Sequence, residues 1–147
     1  PQKFDLTYID QPGKEKTPVV VHKVIYGSLE RFIGILIEHY AGAFPLWLSP
    51  VQIQVIAVSE KFQSYAKRIA EELKAADIRT ELTEANETLG KRIRQGEIQK
   101  IPYLLIVGEK EKKGGTVAVR KRGKGDMGTT TTSSFIKSLR EEITKHN

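Results

Sequence analysis

The strongest constraint on this chain is an alternation between residues 52 and 107, where three short apolar runs are separated by two segments of helical period. Gln52-Ile53-Gln54-Val55-Ile56-Ala57-Val58 predicts a largely buried strand. Ile78–Glu84 sets Ile78, Thr80 and Leu82 against Arg79, Glu81 and Thr83, a half-exposed strand. Tyr103-Leu104-Leu105-Ile106-Val107 is the most apolar run and ends at Gly108. Between the first two, Lys61–Ala76 carries Phe62, Tyr65, Ala66, Ile69, Ala70 and Leu73 at helical spacing with charges opposite. Between the second and third, Thr88 caps a predicted helix from Leu89 to Gln99, with Leu89, Ile93 and Ile98 inward, and Pro102 ends it.

Beyond Gly108 the pattern changes. Gly114-Gly115 predicts a turn into a strand at Thr116–Arg120, Gly123–Thr132 reads as a Gly/Thr loop, and Ser133 opens a last helix with Phe135, Ile136, Leu139 and Ile143 on one face. The order β-α-β-α-β-β-α predicts an α/β domain over residues 51–147, with a mixed, mostly parallel sheet covered on both faces by three helices.

Residues 1–42 read differently. Phe4–Ile9 and Val19–Tyr26 are predicted strands joined by a polar turn through Gly13. Ser28–Ala41 is a predicted helix whose apolar residues (Leu29, Phe32, Ile33, Ile35, Leu36, Ile37, Tyr40) cover most of its circumference. A helix apolar nearly all round is buried on several sides, and two strands cannot supply them. This part is therefore expected to be the remnant of a larger sheet, with residues 43–50, where Pro45 and Pro50 bracket Leu46-Trp47-Leu48, as connector.

Composition excludes several classes. There is no cysteine, which removes disulfides, thiol catalysis and Cys-ligated zinc and fits a cytoplasmic location. No apolar run has the length of a spanning helix, so no membrane partner is expected. The chain shows neither a signal-peptide core nor a starting Met and reads as a piece of a longer protein. No P-loop or Rossmann glycine pattern follows the first strand of the second part, and Ser133-Ser134 has no His/Asp arrangement that would make a nucleophile.

Charge points to a partner. Residues 1–50 carry five basic and five acidic side chains, whereas residues 51–147 carry 19 against 13. Within the second part, Gly108–Gly125 holds seven cations and only Glu109 and Glu111 as acids. Such a concentration suits a polyanion, the alternative being a hairpin kept soluble by lysines.

Two places invite chemistry. In Gly27-Ser28-Leu29-Glu30-Arg31 a strand is expected to turn into a helix, with Ser28 as cap and Glu30 suited to the positive helix end. Arg31 opposes the macrodipole there, which is reasonable if an anion sits at the helix opening or if Arg31 pairs with Glu30. The second place is the set Asn86, Arg94, Glu111 and Arg120, near expected helix openings and strand ends, where ligands of parallel sheets gather. Specific reading of RNA uses directional side chains toward unstacked bases and cations toward phosphates. Glu111 in a basic surface is expected to face base-edge donors or to pair with Lys110, Lys112 or Arg120. Lys91, Arg92, Lys112, Lys113, Lys121, Arg122 and Lys124 are expected to meet phosphates or water.

The segment from Val19-Val20-Val21-His22-Lys23 through Gly27-Ser28-Leu29-Glu30-Arg31 to Ile35-Leu36-Ile37-Glu38 resembles motif 3 of class II aminoacyl-tRNA synthetases. Phe44-Pro45-Leu46-Trp47-Leu48-Ser49-Pro50 resembles the join between catalytic and anticodon-binding domains in the class IIa subgroup. Asn86-Glu87, Leu89-Gly90-Lys91-Arg92-Ile93-Arg94, Pro102-Tyr103, Val107–Glu111 and Thr116–Arg120 are similar to the anticodon-binding domain of threonyl-tRNA synthetases. The resemblance implies a five-stranded sheet in the second domain, preceded by a strand–strand–helix remnant of an antiparallel catalytic sheet. It implies a parent ligase that joins threonine to tRNA through an adenylate, uses ATP, magnesium and zinc, and forms a homodimer through sequence absent here. By the same resemblance Arg31 contacts the ATP phosphates, and Asn86, Arg94, Glu111 and Arg120 hold anticodon bases. His22, nine residues before Arg31, matches one of three zinc ligands. The other two have no counterpart, since His39 and His146 lie downstream, so His22 is expected to be an orphan and this chain to carry no cofactor and no catalysis. Alternatives of the same architecture are a non-catalytic nucleic-acid-binding relative of the polymerase accessory type, or a sister synthetase for proline, histidine or glycine.

Overall fold

A computed structural model describes residues 1–145, and His146 lies outside the described residues. The chain divides into two compact units, Pro1–Ile35 and Leu36–Asn147.

In the first unit, β1 (Tyr8–Ile9) and β2 (Glu15–Lys16) form a two-residue antiparallel ladder, Tyr8 opposite Lys16 and Ile9 opposite Glu15. Asp10 closes the turn, accepting from the Lys14 N–H at 2.8 Å and pairing with Lys16 at 2.7 Å. The strand predicted at Val19–Tyr26 does not form: the segment is irregular and exposed, with Val19 and Val21 among its bare side chains. A strand needs a hydrogen-bonding neighbour, and none stands beside it among the described residues. Helix α1 (Leu29–His39) forms as predicted and passes into the second unit, but it buries no residue.

The second unit is built on β3 (Ile53–Ala57), α2 (Gln63–Ala75), β4 (Thr80–Thr83), α3 (Leu89–Ile98), β5 (Tyr103–Val107), α4 (Glu109–Gly114), β6 (Thr116–Lys121), β7 (Gly125–Thr131) and α5 (Thr132–Thr144). The sheet order is β4-β3-β5-β6-β7. β4 and β5 flank β3 in parallel, while β6 pairs antiparallel with β5 and β7 antiparallel with β6. Four of the five strands therefore point the same way, a mixed and mostly parallel sheet. β7 occupies the stretch predicted as a Gly/Thr loop. It lacks apolar alternation because it is an edge strand with most of its residues exposed. The short α4 is also absent from the sequence reading, since Glu-Lys-Glu-Lys-Lys has no apolar stripe.

The sheet has two unequal faces. On one, α2 and α5 bury Tyr65, Ile69, Leu73, Phe135 and Leu139 against Ile53, Val55, Tyr103, Leu105, Val117 and Val119. Tyr103 also anchors α5: its hydroxyl donates to Glu142 at 2.6 Å, and Lys121 pairs with the same carboxylate at 2.8 Å. On the other face, α3 covers a smaller cluster of Ile56, Ile101 and Leu104, with Leu89 and Ile93 partly buried against it. Ile98, predicted inward, is 67% exposed. The inward stripe of α3 is Leu89, Arg92, Ile93 and Gly96, at spacing i, i+3, i+4, i+7, and Ile98 falls off it.

Residues 43–50 pack onto this unit. Arg79 donates to the Ser49 carbonyl at 2.8 Å and the Trp47 carbonyl at 2.7 Å, and buried Gln52 donates to the Leu46 carbonyl at 2.9 Å. Arg122 donates to the Phe44 carbonyl at 2.6 Å and the Ala43 carbonyl at 3.2 Å.

Candidate functional site

The cations of the second unit sort into two kinds. Three that the sequence assigned to phosphate or water are used by the fold instead. Arg92 is 2% exposed and bonds only backbone carbonyls. Lys121 is held by Glu142 and lies 4.9 Å from the Tyr103 ring centroid. Arg122 clamps the connector and the Lys100 carbonyl, and burial pushes its guanidinium down from its ordinary pKa. Lys91 pairs with Glu87, and Lys113 with Glu109 at 2.7 Å, both on exposed helix turns. Lys112 and Lys124 are exposed and make no ion pair among the described residues.

The four directional residues are all accessible. Asn86 lies in the bend between β4 and α3, exposed and without a hydrogen-bond partner among the described residues. Thr88 then caps α3, accepting from the Lys91 N–H at 3.4 Å. Arg94 is exposed and unpaired, one turn before Glu97 on the same flank of the helix. Glu97 reaches across to Arg120 on β6, with 3.4 Å between its carboxylate and the guanidinium. Arg120 lies opposite Leu104 in the β5–β6 ladder, so it points to the face that α3 half covers. Between them runs a groove lined by Glu97, Leu104, Arg120 and Gly125. Glu97 and Arg120 thus stand at this groove, whereas Arg94 lies one turn earlier on α3 and Asn86 before the opening of the helix, neither of them lining it.

Glu111 is placed otherwise. It sits in the first turn of α4, just past the carboxyl end of β5, and one carboxylate oxygen accepts the Gly108 N–H at 2.9 Å. The pairing expected with Lys110, Lys112 or Arg120 is not made, and its second oxygen has no hydrogen-bond partner among the described residues. No contact joins Glu111 to the other three. The strand-end argument holds for Asn86 and Glu111, whereas Arg120 sits level with the start of β5 and is brought in by its face of the sheet.

Sequence reasoning passed over Gly96 and assigned Arg92 to phosphate or water, and this arrangement depends on both. An added Cβ on Gly96 would lie 2.3 Å from Gln54 Oε1 and 2.6 Å from Leu104 Cδ2, so the glycine lets α3 approach the sheet closely. Arg92 stands one turn before it on the same stripe. The spacing with Leu89 and Ile93 marked both positions as inward; their polar and small side chains disguised them.

In the first unit, Arg31 is exposed in the first turn of α1. Its predicted pairing with Glu30 is not made, because Glu30 accepts from the Ser28 hydroxyl at 2.7 Å, which holds its carboxyl below the ordinary range. His22 is exposed, and no group of three metal-ligating side chains converges among the described residues. One imidazole does not fit a zinc site, which takes at least three protein ligands. No helix of the described residues is long and apolar enough to cross a membrane.

Comparison with known proteins agrees with this geometry. Residues 52–142 match the model of the anticodon binding domain family. The chain is 57% identical over 143 residues to the threonine–tRNA ligase of Carboxydothermus hydrogenoformans, covering 97% of this chain and 23% of that protein. It is 50% identical to the threonine–tRNA ligase of Syntrophomonas wolfei, over 97% of this chain and 22% of that one. The chain therefore spans less than a quarter of the length of these curated relatives. Among solved structures, the RNA binding domain of threonyl-tRNA synthetase from Cryptosporidium parvum superposes with a TM-score of 0.74 at 30% identity, over 97% of this chain and 36% of that one. With the family model covering most of its length and a solved threonyl-tRNA synthetase domain superposing on 97% of it, this chain belongs to the anticodon-binding domain family.

Proposed function

We propose that residues 51–147 read the anticodon loop of a threonine tRNA, as the recognition domain of a threonine–tRNA ligase. The observation that carries this reading is the division among the polar groups. The cations needed by the fold are turned inward or paired, while Asn86 and Arg94 stand exposed and without a partner among the described residues on α3 and its approach, and Arg120 is held only by a 3.4 Å contact with Glu97. A loop with splayed bases offers donors and acceptors to such groups, and its phosphates meet Lys112 and Lys124. Arg120 exchanges its weak 3.4 Å contact with Glu97 for a base edge or phosphate. Glu111 keeps one oxygen on Gly108 and turns the other to a base amine, the one role in which an acid belongs beside RNA.

In the proposed parent, residues 1–42 belong to the catalytic domain and residues 43–50 form the connector. There Arg31 meets the ATP phosphates, where a fixed guanidinium offsets charge developing on the pyrophosphate. This chain by itself is expected to form no threonyl-adenylate, since one arginine and one histidine assemble no site. Threonine-dependent pyrophosphate exchange by the purified chain would contradict that. Cytoplasmic location and a homodimeric parent belong to the same proposal. The sister-enzyme and accessory-subunit alternatives gain no support from the two bacterial relatives above, both threonine–tRNA ligases.

The test is binding of a threonine anticodon stem-loop to the Glu111→Ala, Arg120→Ala and Lys124→Ala variants. The first two are expected to lose discrimination against a loop with altered anticodon bases by about 1–3 kcal/mol. The third is expected to weaken binding to both loops alike. Equal behaviour of all three would count against base reading.

A further inference from the structure

The inward face of α3 contains a charge that the packing of the domain does not call for. Arg92 is 2% exposed, and its position between Leu89, Ile93 and Gly96 would suit a leucine or methionine at a far smaller desolvation cost. Among the described residues no carboxylate pairs with the guanidinium. Its acceptors are three backbone carbonyls: Ala57 at 2.6 Å, Val58 at 3.3 Å and Glu87 at 3.0 Å. The Glu87 carboxylate is itself engaged by Lys91 on the opposite side of the turn.

The placement of those three acceptors is informative. Ala57 is the last residue of β3 and Val58 follows it, at the carboxyl edge of an interior strand flanked by β4 and β5. Glu87 lies in the bend that leads into α3, next in sequence to Asn86. Arg92 therefore joins a strand buried along its whole length to the residue beside Asn86, and does so from the helix that carries Arg94 two positions on. An apolar side chain would fill the same space and make none of these three links. The fork of the guanidinium spans separate carbonyls in a way a single amine reproduces only in part.

We infer that Arg92 is a positioning residue of the anticodon site: buried and out of reach of RNA, it fixes the 84–88 bend, and with it Asn86 and the register of Arg94, against β3. The inference rests on the anticodon-loop reading given above for its consequence in binding, but not for the mechanical link.

The test uses the 147-residue chain and its Arg92→Met and Arg92→Lys variants, with two readouts. The first is amide hydrogen exchange where the bend enters α3, at residues 91 and 92 whose N–H groups bond Thr88, compared with α2. The second is the ratio of affinities for a threonine anticodon stem-loop and the same stem-loop with its anticodon bases replaced. Arg92→Met is expected to speed exchange at these two amides by about tenfold while α2 amides stay protected. It is also expected to lower the affinity ratio by about tenfold, with affinity for generic duplex RNA unchanged. Arg92→Lys is expected to recover most of both.

Unchanged exchange at these two amides, or an equal loss of affinity for every RNA, would overturn the inference. Should Arg92→Met fail to fold, Arg92→Gln combined with Asn86→Ala decides the matter. A double variant losing less than the product of the single losses supports the link, and strictly multiplicative losses contradict it. If the unaltered chain fails to tell the two loops apart, the anticodon reading falls, and the exchange data still decide whether Arg92 holds the bend.

Discussion

Under α2 and α5 the sheet presents Ile53, Val55, Leu105, Val117 and Val119 to two helices whose inward stripes are almost wholly apolar. Under α3 the same sheet presents Gln54, Ile56 and Leu104 to a helix that inserts an arginine and a glycine. The first face is dry and closes through the Tyr103–Glu142–Lys121 link. Each side keeps one buried amide oxygen without a partner among the described residues, Gln63 Oε1 on α2 and Gln54 Oε1 under α3, but the second also leaves β6 open beside the helix. One face holds the domain together, and the other trades packing for exposed polar groups at fixed positions. On the proposed anticodon-loop reading, stability and recognition are divided between the two sides of one sheet, and substitutions on each side are expected to separate them.

The largest effect is expected on the dry face. Leu73→Ala removes a fully buried side chain from α2 and is expected to cost about 2–5 kcal/mol in urea unfolding. The variant that remains folded should keep its preference for the threonine loop. Next comes Gly96→Ala on the other face. Its Cβ meets two buried side-chain ends, and the overpacking is expected to outweigh the roughly 1 kcal/mol gained in helix propensity. Net destabilisation of about 1–2 kcal/mol with reduced loop preference is the expected outcome; a more stable variant would break the close-approach account.

Glu142→Gln sharpens the comparison through pH. Burial raises the Glu142 carboxyl, but hydrogen bonds from Lys121 and Tyr103 outweigh it and hold the group below its ordinary pKa. Burial lowers Lys121, and its bonds to Glu142 and Tyr103 outweigh that and hold it above. The stabilisation from Glu142 is therefore present above the unfolded carboxyl pKa and lost as pH falls through the lower folded value. That from Lys121 is present below the unfolded amine pKa and lost as pH rises through the higher folded value. Glu142→Gln is expected to cost about 1 kcal/mol at neutral pH, with the gap to the unaltered chain narrowing in acid. A gap that widens in acid would reverse the assignment. The smallest effect belongs to Lys124→Ala, which should leave stability unchanged and reduce the salt slope of RNA binding by about 0.7.

The parallel core of the fold was legible because β3, α2, β4, α3 and β5 carry their periods openly. The apolar stripe of α2 is the predicted one, with Phe62 only partly buried. What stayed hidden did so for identifiable reasons. β7 is an edge strand of glycine, threonine, one aspartate and one methionine, with little to bury and so no alternation to read. Val19–Tyr26 has the composition of a strand, but β structure is completed by a neighbour rather than by the segment itself. In the site, Asn86, Arg94, Glu111 and Arg120 came mainly from family resemblance; the first two are exposed and the last two half-buried. The inward turn of Arg92, Lys121 and Arg122 was not visible, because a cation reads as solvated until its carbonyl or carboxylate partners from distant elements are in place.

The central claim is that RNA docks on the α3 side of the sheet. Titrating the isotopically labelled chain with a threonine anticodon stem-loop, and following backbone amide shifts by NMR, tests it directly. The account predicts that the perturbed amides cluster at residues 85–97, 109–112 and 118–120, with α2 and α5 unaffected. Perturbations centred on α2 and α5 would contradict it.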